Sequence, residues 1–361
     1  MTTVPPDEAP RPAETEREVS PDELAIGRRL RQPRTIIGLA LPIAAIAVFA
    51  WLNRDQLARV PGLILQVNPL LVLAAFAVFY AGFPLRGLRW ALLIRATGFR
   101  LGTRDATEII FLSWLINCLV PAKLGDLYRA WLLKINSTVS LSRTFGTVFI
   151  ERILDLFAIV VLGLAAGFWS FRTGMSTEIQ TVFGIGVVVV VLLALGLLTL
   201  RNFGRRILVA LPIPHRIVEY YDRFEEGVFG AVGLRRLPPL VVLTGLIWAT
   251  EAFRLFLVVA AFNFPDVSLG ISGAFFVALI GSLLTAVPLS PAGLGIVEGA
   301  VVWVLVNAYG VALPEATAIA LVDRTISVFS IIILGSIAYL ASPKRRGAGL
   351  SRPPAEAAGS G

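Results

Sequence analysis

The chain has 361 residues, of which 56% are hydrophobic and 16% charged, whereas about 25% of an ordinary globular domain is charged. Several apolar runs reach the ~20 residues that a helix needs to cross the hydrocarbon core, so the composition predicts an all-α polytopic membrane protein. One cysteine and one histidine exclude an internal disulfide and argue against a metal site, and we expect no cofactor. The net charge of +8 is better explained by basic cytoplasmic loops than by nucleic-acid binding.

One membrane domain, residues 31–343, is predicted between disordered cytosolic tails at 1–30 and 344–361. The N-terminal tail is rich in proline and glutamate, and such segments bury too little apolar surface to fold. Apolar runs within the domain predict full spans near 35–52, 69–92, 144–171, 180–200, 238–262 and 314–341.

Basic residues predict the orientation of the chain in a cytoplasmic (plasma) membrane. Four arginines between 28 and 34 precede the first span, and loops assigned to the same side carry most of the other basic residues. Since cytoplasmic loops are enriched in lysine and arginine, both termini are expected in the cytoplasm. Arg86 and Arg89, near the end of the second span, are expected to extend their guanidinium groups to the interface.

Two further apolar regions, 105–134 and 267–310, are each interrupted by proline and glycine. In the first region, the leg after the interruption has about 13 residues, or ~20 Å of helix, which is too short to cross the core. A re-entrant hairpin is therefore predicted there. For 267–310 the sequence is compatible with either a hairpin or two full crossings, because both give the same end points.

An internal duplication is indicated by segments that recur in the same order. PAKLG at 121–125 matches PAGLG at 291–295, and ERILDLFAIVVLG at 151–163 matches DRTISVFSIIILG at 323–335. The units, 69–171 and 238–341, would begin on opposite sides of the membrane and form an inverted repeat, a design in which broken helices meet near the midplane. The residues predicted to break the helices are Pro121, Gly125, Pro291, Gly293 and Gly295.

A charged residue in the bilayer is costly, so such residues usually face a cavity or a partner. The charged residues inside the predicted spans and hairpins are therefore the candidates for a substrate cavity. Some of them, such as Arg152 with Asp155 and Glu251 with Arg254, have the spacing of intrahelical ion pairs, so a purely structural role stays open. The candidates are Lys123, Asp126, Arg129, Glu151, Arg152, Asp155, Glu251, Glu298, Asp323 and Arg324.

The chain resembles the transmembrane region of the lysylphosphatidylglycerol synthase family. The motifs that carry the resemblance are NCLVPAKLGDLYRAWLL (117–133), ERILDL (151–156), PLSPAGLGIVEGA (288–300) and DRTIS (323–327). Asp126, where the family more often has glutamate, and Ala292, where glycine is common, depart from the pattern. The resemblance implies a flippase-like domain that moves lipids between leaflets, here without the aminoacyltransferase domain of the synthases.

The expected function is therefore translocation of a lipid with an anionic or lipid-linked headgroup, not enzymatic catalysis. Lys123, Arg129, Arg152 and Arg324 would contact phosphate oxygens, and the acids would position these cations. Two alternatives stay open: an intramembrane transferase of a lipid-linked sugar pathway, and a non-catalytic partner of lipid or envelope enzymes. The oligomeric state cannot be predicted from the sequence.

Overall fold

The described part of the chain is built from helices. A computed structural model describes residues 47–120, 123–172, 235–265, 269–285 and 290–347, and isolated residues elsewhere between 43 and 350. The described residues contain no β-strand, which agrees with the predicted all-α membrane protein. The predicted spans at 35–52 and 180–200 are described only in part, and the predicted N-terminal tail lies outside the described residues. The helices are α1 (Arg54–Leu57), α2 (Val60–Leu65), α3 (Pro69–Arg95), α4 (Thr103–Leu119), α5 (Leu124–Asn136), α6 (Leu141–Ser170), α7 (Leu237–Phe262), α8 (Gly270–Leu284), α9 (Ile296–Tyr309) and α10 (Leu313–Ala341).

Among the described residues, α3, α7 and α10 are long and apolar enough to cross the membrane, with 27, 26 and 29 residues, and α6 has the necessary length with 30 residues. They correspond to the spans predicted near 69–92, 144–171, 238–262 and 314–341. Helix α3 begins after Asn68, whose side chain accepts hydrogen bonds from the backbone N–H groups of Leu70 and Leu71. Helix α10 contains a π-helical turn at Thr325–Phe329.

The remaining four long elements form two re-entrant hairpins, α4–α5 (hairpin 1) and α8–α9 (hairpin 2). Their legs have 17, 13, 15 and 14 residues, and each is shorter than the ~20 residues of a full span. The range Pro291–Tyr309 reaches 19 apolar residues only by joining α9 to a turn whose backbone is non-helical at Ala292. We therefore assign 267–310 to a hairpin, not to two crossings.

The two helices of hairpin 2 run antiparallel, so the start of α8 lies beside the end of α9. A Cβ added to Gly273, in the first turn of α8, would lie 3.0 Å from the ring of Tyr309 at the end of α9. Near the tip, a Cβ on Gly281 would lie 3.3 Å from Val301 and 3.4 Å from Val297. Small residues allow this close approach of helices, as is common in membrane proteins.

The two units are inverted with respect to each other. Their first helices, α3 and α7, pack antiparallel: the N–H of Asn68 donates to the carbonyl of Ala261 at 2.8 Å, so the start of one helix meets the end of the other. Further along, Arg86 of α3 contacts Glu251 of α7. Because equivalent helices run in opposite directions, hairpins 1 and 2 enter from opposite faces of the membrane.

A spacing of 172 residues relates the later helices of the two units, α5 with α9 and α6 with α10. Helix α5 begins at Leu124 and α9 at Ile296. Gly163 of α6 packs on Leu279 of α8, and its equivalent Gly335 of α10 packs on Leu115 of α4. The predicted match of PAKLG with PAGLG has a spacing of 170, so hairpin 2 has two more residues than hairpin 1 between this proline and the start of the second leg.

The predicted C-terminal tail, 344–361, begins too early. Residues Pro343–Arg346 form a 3-10 turn in which Lys344 is buried against the base of hairpin 1. Its ammonium group lies 2.5 Å from Glu108 and 3.0 Å from Asp105, and its carbonyl accepts a hydrogen bond from Asn136 at 2.7 Å. Paired charges make this burial possible, which a count of polar residues in the sequence does not reveal.

Replacement of Lys344 by glutamine should lower the thermal stability in a pH-dependent way. Burial opposes the charge of the Lys344 ammonium, but hydrogen bonds to Glu108 and Asp105 outweigh this effect and raise its pKa. A raised pKa in the folded state stabilises the protein below the unfolded value of about 10.4, and this contribution is lost as the pH rises through the folded value. Melting curves of both proteins should therefore differ at neutral pH, and the difference should shrink as the pH rises from about 10.4 through the folded pKa of Lys344; a difference that persists undiminished above that folded pKa would contradict the assignment.

Candidate functional site

A cavity of about 170 Å³ lies where the tips of the two hairpins meet the middle of α7 and α10. Lys123 lines it from hairpin 1, and Ala292 and Gly293 line it from hairpin 2. Its volume is several times the ~10–15 Å³ that one water molecule needs on the same measure, so it has room for a polar group larger than water. Non-helical backbone at membrane depth is tolerated where it lines such a cavity.

A residue with positive φ precedes the second helix at both tips. Lys123 (φ 51°) precedes α5, and Gly295 (φ 82°) precedes α9 at the equivalent position. In hairpin 2, Pro291 opens a 3-10 turn, and Ala292 (φ 52°) and Gly293 (φ 70°) also have positive φ. Pro291, Gly293 and Gly295 thus lie at the break predicted for them, whereas Pro121 lies outside the described residues.

Gly125 does not break the helix, which corrects the sequence prediction. It lies in the first turn of α5, and its N–H donates to the side-chain oxygen of Asn117 at 2.9 Å. A Cβ at this position would lie 2.0 Å from the carbonyl oxygen of Ser113. The glycine is therefore needed for the close approach of the two legs of hairpin 1.

Alanine at position 125 should destabilise the protein by at least about 3 kcal/mol, because the added Cβ collides with backbone in α4. Gly299→Ala in α9 is the matched control, since a Cβ there meets nothing within 4 Å. Alanine favours a helix over glycine by about 1 kcal/mol, so this control should be neutral or stabilising. Thermal unfolding of the two variants beside the wild type measures both effects; equal melting temperatures would contradict the close packing.

Arg86 and Arg89 are not at the interface, contrary to the prediction. Arg89 is 1% exposed, and its guanidinium group lies 2.6 Å from Asp155 and 3.1 Å from Glu151 of α6. Arg86 is 4% exposed and lies 2.5 Å from Glu251 of α7. Both arginines therefore tie α3 to the neighbouring helices within the bundle.

Arg129 of α5 belongs to the same buried network. Its guanidinium group donates to Glu151 at 3.1 Å and lies over the ring of Trp90, 4.9 Å from the centroid. The side chain is 1% exposed, so it holds hairpin 1 against α3 and α6 and does not face the cavity. Its predicted role as a phosphate contact is not supported by this position.

A second network lies on the side of hairpin 2. Arg254 of α7 donates to both carboxylate oxygens of Asp323 in α10, at 2.9 and 3.1 Å, and to Glu251 at 2.9 Å. Bidentate pairs of this kind are strong and fix the orientation of both side chains. Arg254 lines the cavity and was not among the candidates, although its spacing of three residues from Glu251 had suggested an ion pair.

Two equivalent ion pairs connect the hairpins to the last helix of each unit. Arg152 of α6 lies 3.0 Å from Asp126 of α5, and Arg324 of α10 lies 2.7 Å from Glu298 of α9. Arg324 also donates to the carbonyl of Ala292 at 2.5 Å. Each tip is thus bound to its own unit by one arginine.

The candidates fall into two groups by position. Lys123, Arg152, Glu251, Asp323 and Arg324 line the cavity. Asp126, Glu151, Asp155 and Glu298 are paired with Arg152, Arg324 or Arg89, and Arg129 is paired with Glu151. The structure therefore brings together charges from both hairpins, α6, α7 and α10, and it adds Arg254 and Trp248 to the cavity wall.

Comparison with known proteins gives the same family as the sequence motifs. Residues 35–335 match the family model described as the lysylphosphatidylglycerol synthase TM region. A UPF0104 membrane protein of Methanocaldococcus jannaschii is 36% identical over 230 residues, which cover 62% of this chain and 92% of that protein.

Two other relatives match a larger share of this chain. A UPF0104 membrane protein of Methanothermobacter thermautotrophicus is 29% identical over 77% of this chain and 87% of its own length. The glycosyltransferase AglD of Haloferax volcanii is 26% identical over 89% of this chain. The chain spans 56% of the length of AglD, so the name of that protein describes more than the shared part.

Proposed function

Since the chain belongs to the lysylphosphatidylglycerol synthase transmembrane-region family, we propose that it moves lipids between the two leaflets of the membrane through the cavity. It acts as a transporter and not as an enzyme, it resides in the cytoplasmic membrane, and both of its termini face the cytoplasm. The observation that carries the proposal is the meeting of two oppositely inserted hairpin tips at one charged cavity.

The inverted repeat supplies a route for alternating access. Each hairpin reaches the cavity from its own face of the membrane, so displacement of one tip exposes the cavity to that face alone. The ion pairs of Arg152 with Asp126 and of Arg324 with Glu298 are equivalent in the two units and hold the two tips. The headgroup occupies the cavity during transfer, and the acyl chains remain in the hydrocarbon region.

A transferase in a lipid-linked sugar pathway is the second candidate, and the relationship to AglD is the observation that favours it. The alignment leaves 44% of AglD unmatched, so the activity in its name can reside outside the shared part. A non-catalytic partner of lipid enzymes is a third candidate. It predicts that the cavity charges can be replaced without loss of function.

Translocation is tested with the purified protein in liposomes that contain lipids labelled on an acyl chain with a nitrobenzoxadiazole dye. Neutral, anionic and lysyl-bearing headgroups are compared. Dithionite added outside bleaches only the outer leaflet, so we expect bleaching of the inner-leaflet dye for at least one headgroup, and none in protein-free liposomes. If no headgroup moves, with or without a pH or voltage gradient, the proposal fails. Sugar transfer from a polyprenyl-phosphate donor then becomes the next assay.

A further inference from the structure

We propose that Lys123 and Arg152 form a phosphate-binding site on one side of the cavity, and that the second unit has no counterpart of this site. The inference rests on the proposed function and names the chemical group that the cavity recognises. It follows from a comparison of the charges in the two units.

Several of the buried charges recur in both units. The pair of Arg152 with Asp126 has its equivalent in Arg324 with Glu298, 172 residues later. In each unit, an arginine of the first helix also contacts an acid of the last helix. These contacts join Arg89 to Glu151 at 3.1 Å and Arg254 to Asp323 at 2.9 Å.

Lys123 breaks this symmetry. The equivalent residue of hairpin 2 is Gly295, which has no side chain. Lys123 lines the cavity and has no ion pair within the described part of the chain. The described arginines around the cavity are balanced by acids, so Lys123 contributes one uncompensated positive charge to the side of hairpin 1. The arginines are Arg86, Arg89, Arg129, Arg152, Arg254 and Arg324, and the acids are Asp126, Glu151, Asp155, Glu251, Glu298 and Asp323.

The two equivalent arginines also differ in their access to the cavity. The side chain of Arg152 is 31% exposed, whereas that of Arg324 is 10% exposed and donates to both Glu298 and the carbonyl of Ala292. Part of the Arg152 side chain therefore remains accessible although it contacts Asp126 and Asp155, and Arg152 lines the same cavity as Lys123. An ammonium and a guanidinium group on one wall favour a ligand with several anionic oxygens.

A phosphate group has this chemistry, and the headgroup of a phospholipid or free inorganic phosphate can supply it. A neutral lipid without phosphate leaves the charge of Lys123 uncompensated, so it should bind more weakly. A cationic headgroup is tolerated only when it also carries a phosphate. The site thus selects lipids by their phosphate and not by the remainder of the headgroup.

The test uses the single cysteine of the chain, Cys118, which lines the same cavity. The rate of its modification by N-ethylmaleimide is measured in maltoside micelles with increasing dihexanoyl phosphatidic acid, inorganic phosphate or dihexanoylglycerol. Lys123→Gln removes the charge, and Lys123→Arg retains it. Arg172→Gln is the matched control, because Arg172 is an exposed cation at the end of α6.

We expect phosphatidic acid to protect Cys118 in the wild type. The concentration for half-protection should rise about 10-fold or more in Lys123→Gln, the size of a lost charge-assisted hydrogen bond. It should be restored in Lys123→Arg and unchanged in Arg172→Gln. Equal protection by inorganic phosphate identifies free phosphate as a ligand, and weaker protection identifies the lipid headgroup; both support the site.

Equal protection by dihexanoylglycerol and phosphatidic acid would overturn the inference, and so would unchanged protection in Lys123→Gln. The comparison of the three ligands on the wild type decides the matter even if a variant does not fold. The proposed function is tested independently of the site. If lipid moves but its movement does not depend on phosphate, translocation is supported and this site is not. If phosphate protects Cys118 but no lipid moves, the phosphate site is supported and translocation is not.

Discussion

Arg89→Met is expected to lower the free energy of unfolding by at least about 3 kcal/mol. Arg89 is almost completely buried, and it donates to Asp155 at 2.6 Å and to Thr244 at 2.9 Å while contacting Glu151 at 3.1 Å. Methionine retains much of the volume but leaves the acids without one of their cations. Removing one partner of a buried charge network costs more than the network itself contributes, because the remaining charge stays buried.

The measurement is the midpoint of thermal or denaturant unfolding of the variant in detergent. Arg172→Met is the control, because it removes an exposed arginine that contacts only the ring face of Trp169 in the described structure. This change should remain within about 0.5 kcal/mol of the wild type. An Arg89 variant as stable as the control would show that the guanidinium group lies near water, as the sequence had suggested.

Lipid movement should fall at least about 10-fold in Arg324→Gln and in Arg152→Gln. Each arginine holds a hairpin tip through one carboxylate, at 2.7 Å to Glu298 and 3.0 Å to Asp126. Glutamine keeps a polar group of similar length but removes the charge, so the tip is released and the cavity loses a cation. The assay is the dithionite experiment on proteoliposomes with equal amounts of protein.

The effect on transport must be separated from an effect on folding. Both variants should elute as monodisperse protein and keep cooperative unfolding, and Arg172→Gln should move lipid at the wild-type rate. The double variants Arg324→Gln with Glu298→Gln and Arg152→Gln with Asp126→Gln remove whole pairs, which should recover stability but not transport. Transport at the wild-type rate in both single variants would assign the two pairs to structure alone.

The spans near 69–92, 144–171, 238–262 and 314–341, the hairpin at 105–134 and the inverted repeat follow from the sequence because they depend on segment length and on the order of similar motifs. The sequence places Gly125 correctly at the tip of hairpin 1 but predicts that it breaks the helix. Its actual role, to allow close packing, depends on the distance to Ser113 in another helix. The register between the tips could not be obtained from PAKLG and PAGLG, because hairpin 2 is two residues longer there.

The burial of Arg86 and Arg89 could not be predicted, because an arginine near the end of a span has the same local sequence at an interface and in a bundle. Their partners Glu251 and Asp155 are 165 and 66 residues away along the chain. The pair of Arg254 with Asp323 likewise joins helices of distant sequence position. Charge pairing across helices becomes visible only when the packing is known.

The path of the lipid is tested most directly by blocking the cavity at Cys118. Because the chain has one cysteine, a bulky maleimide modifies this position alone, and Cys118→Ser serves as the unreactive control. We predict that complete modification stops lipid movement in wild-type proteoliposomes and leaves Cys118→Ser unaffected. Lipid movement at the full rate in completely modified protein would contradict transport through the cavity.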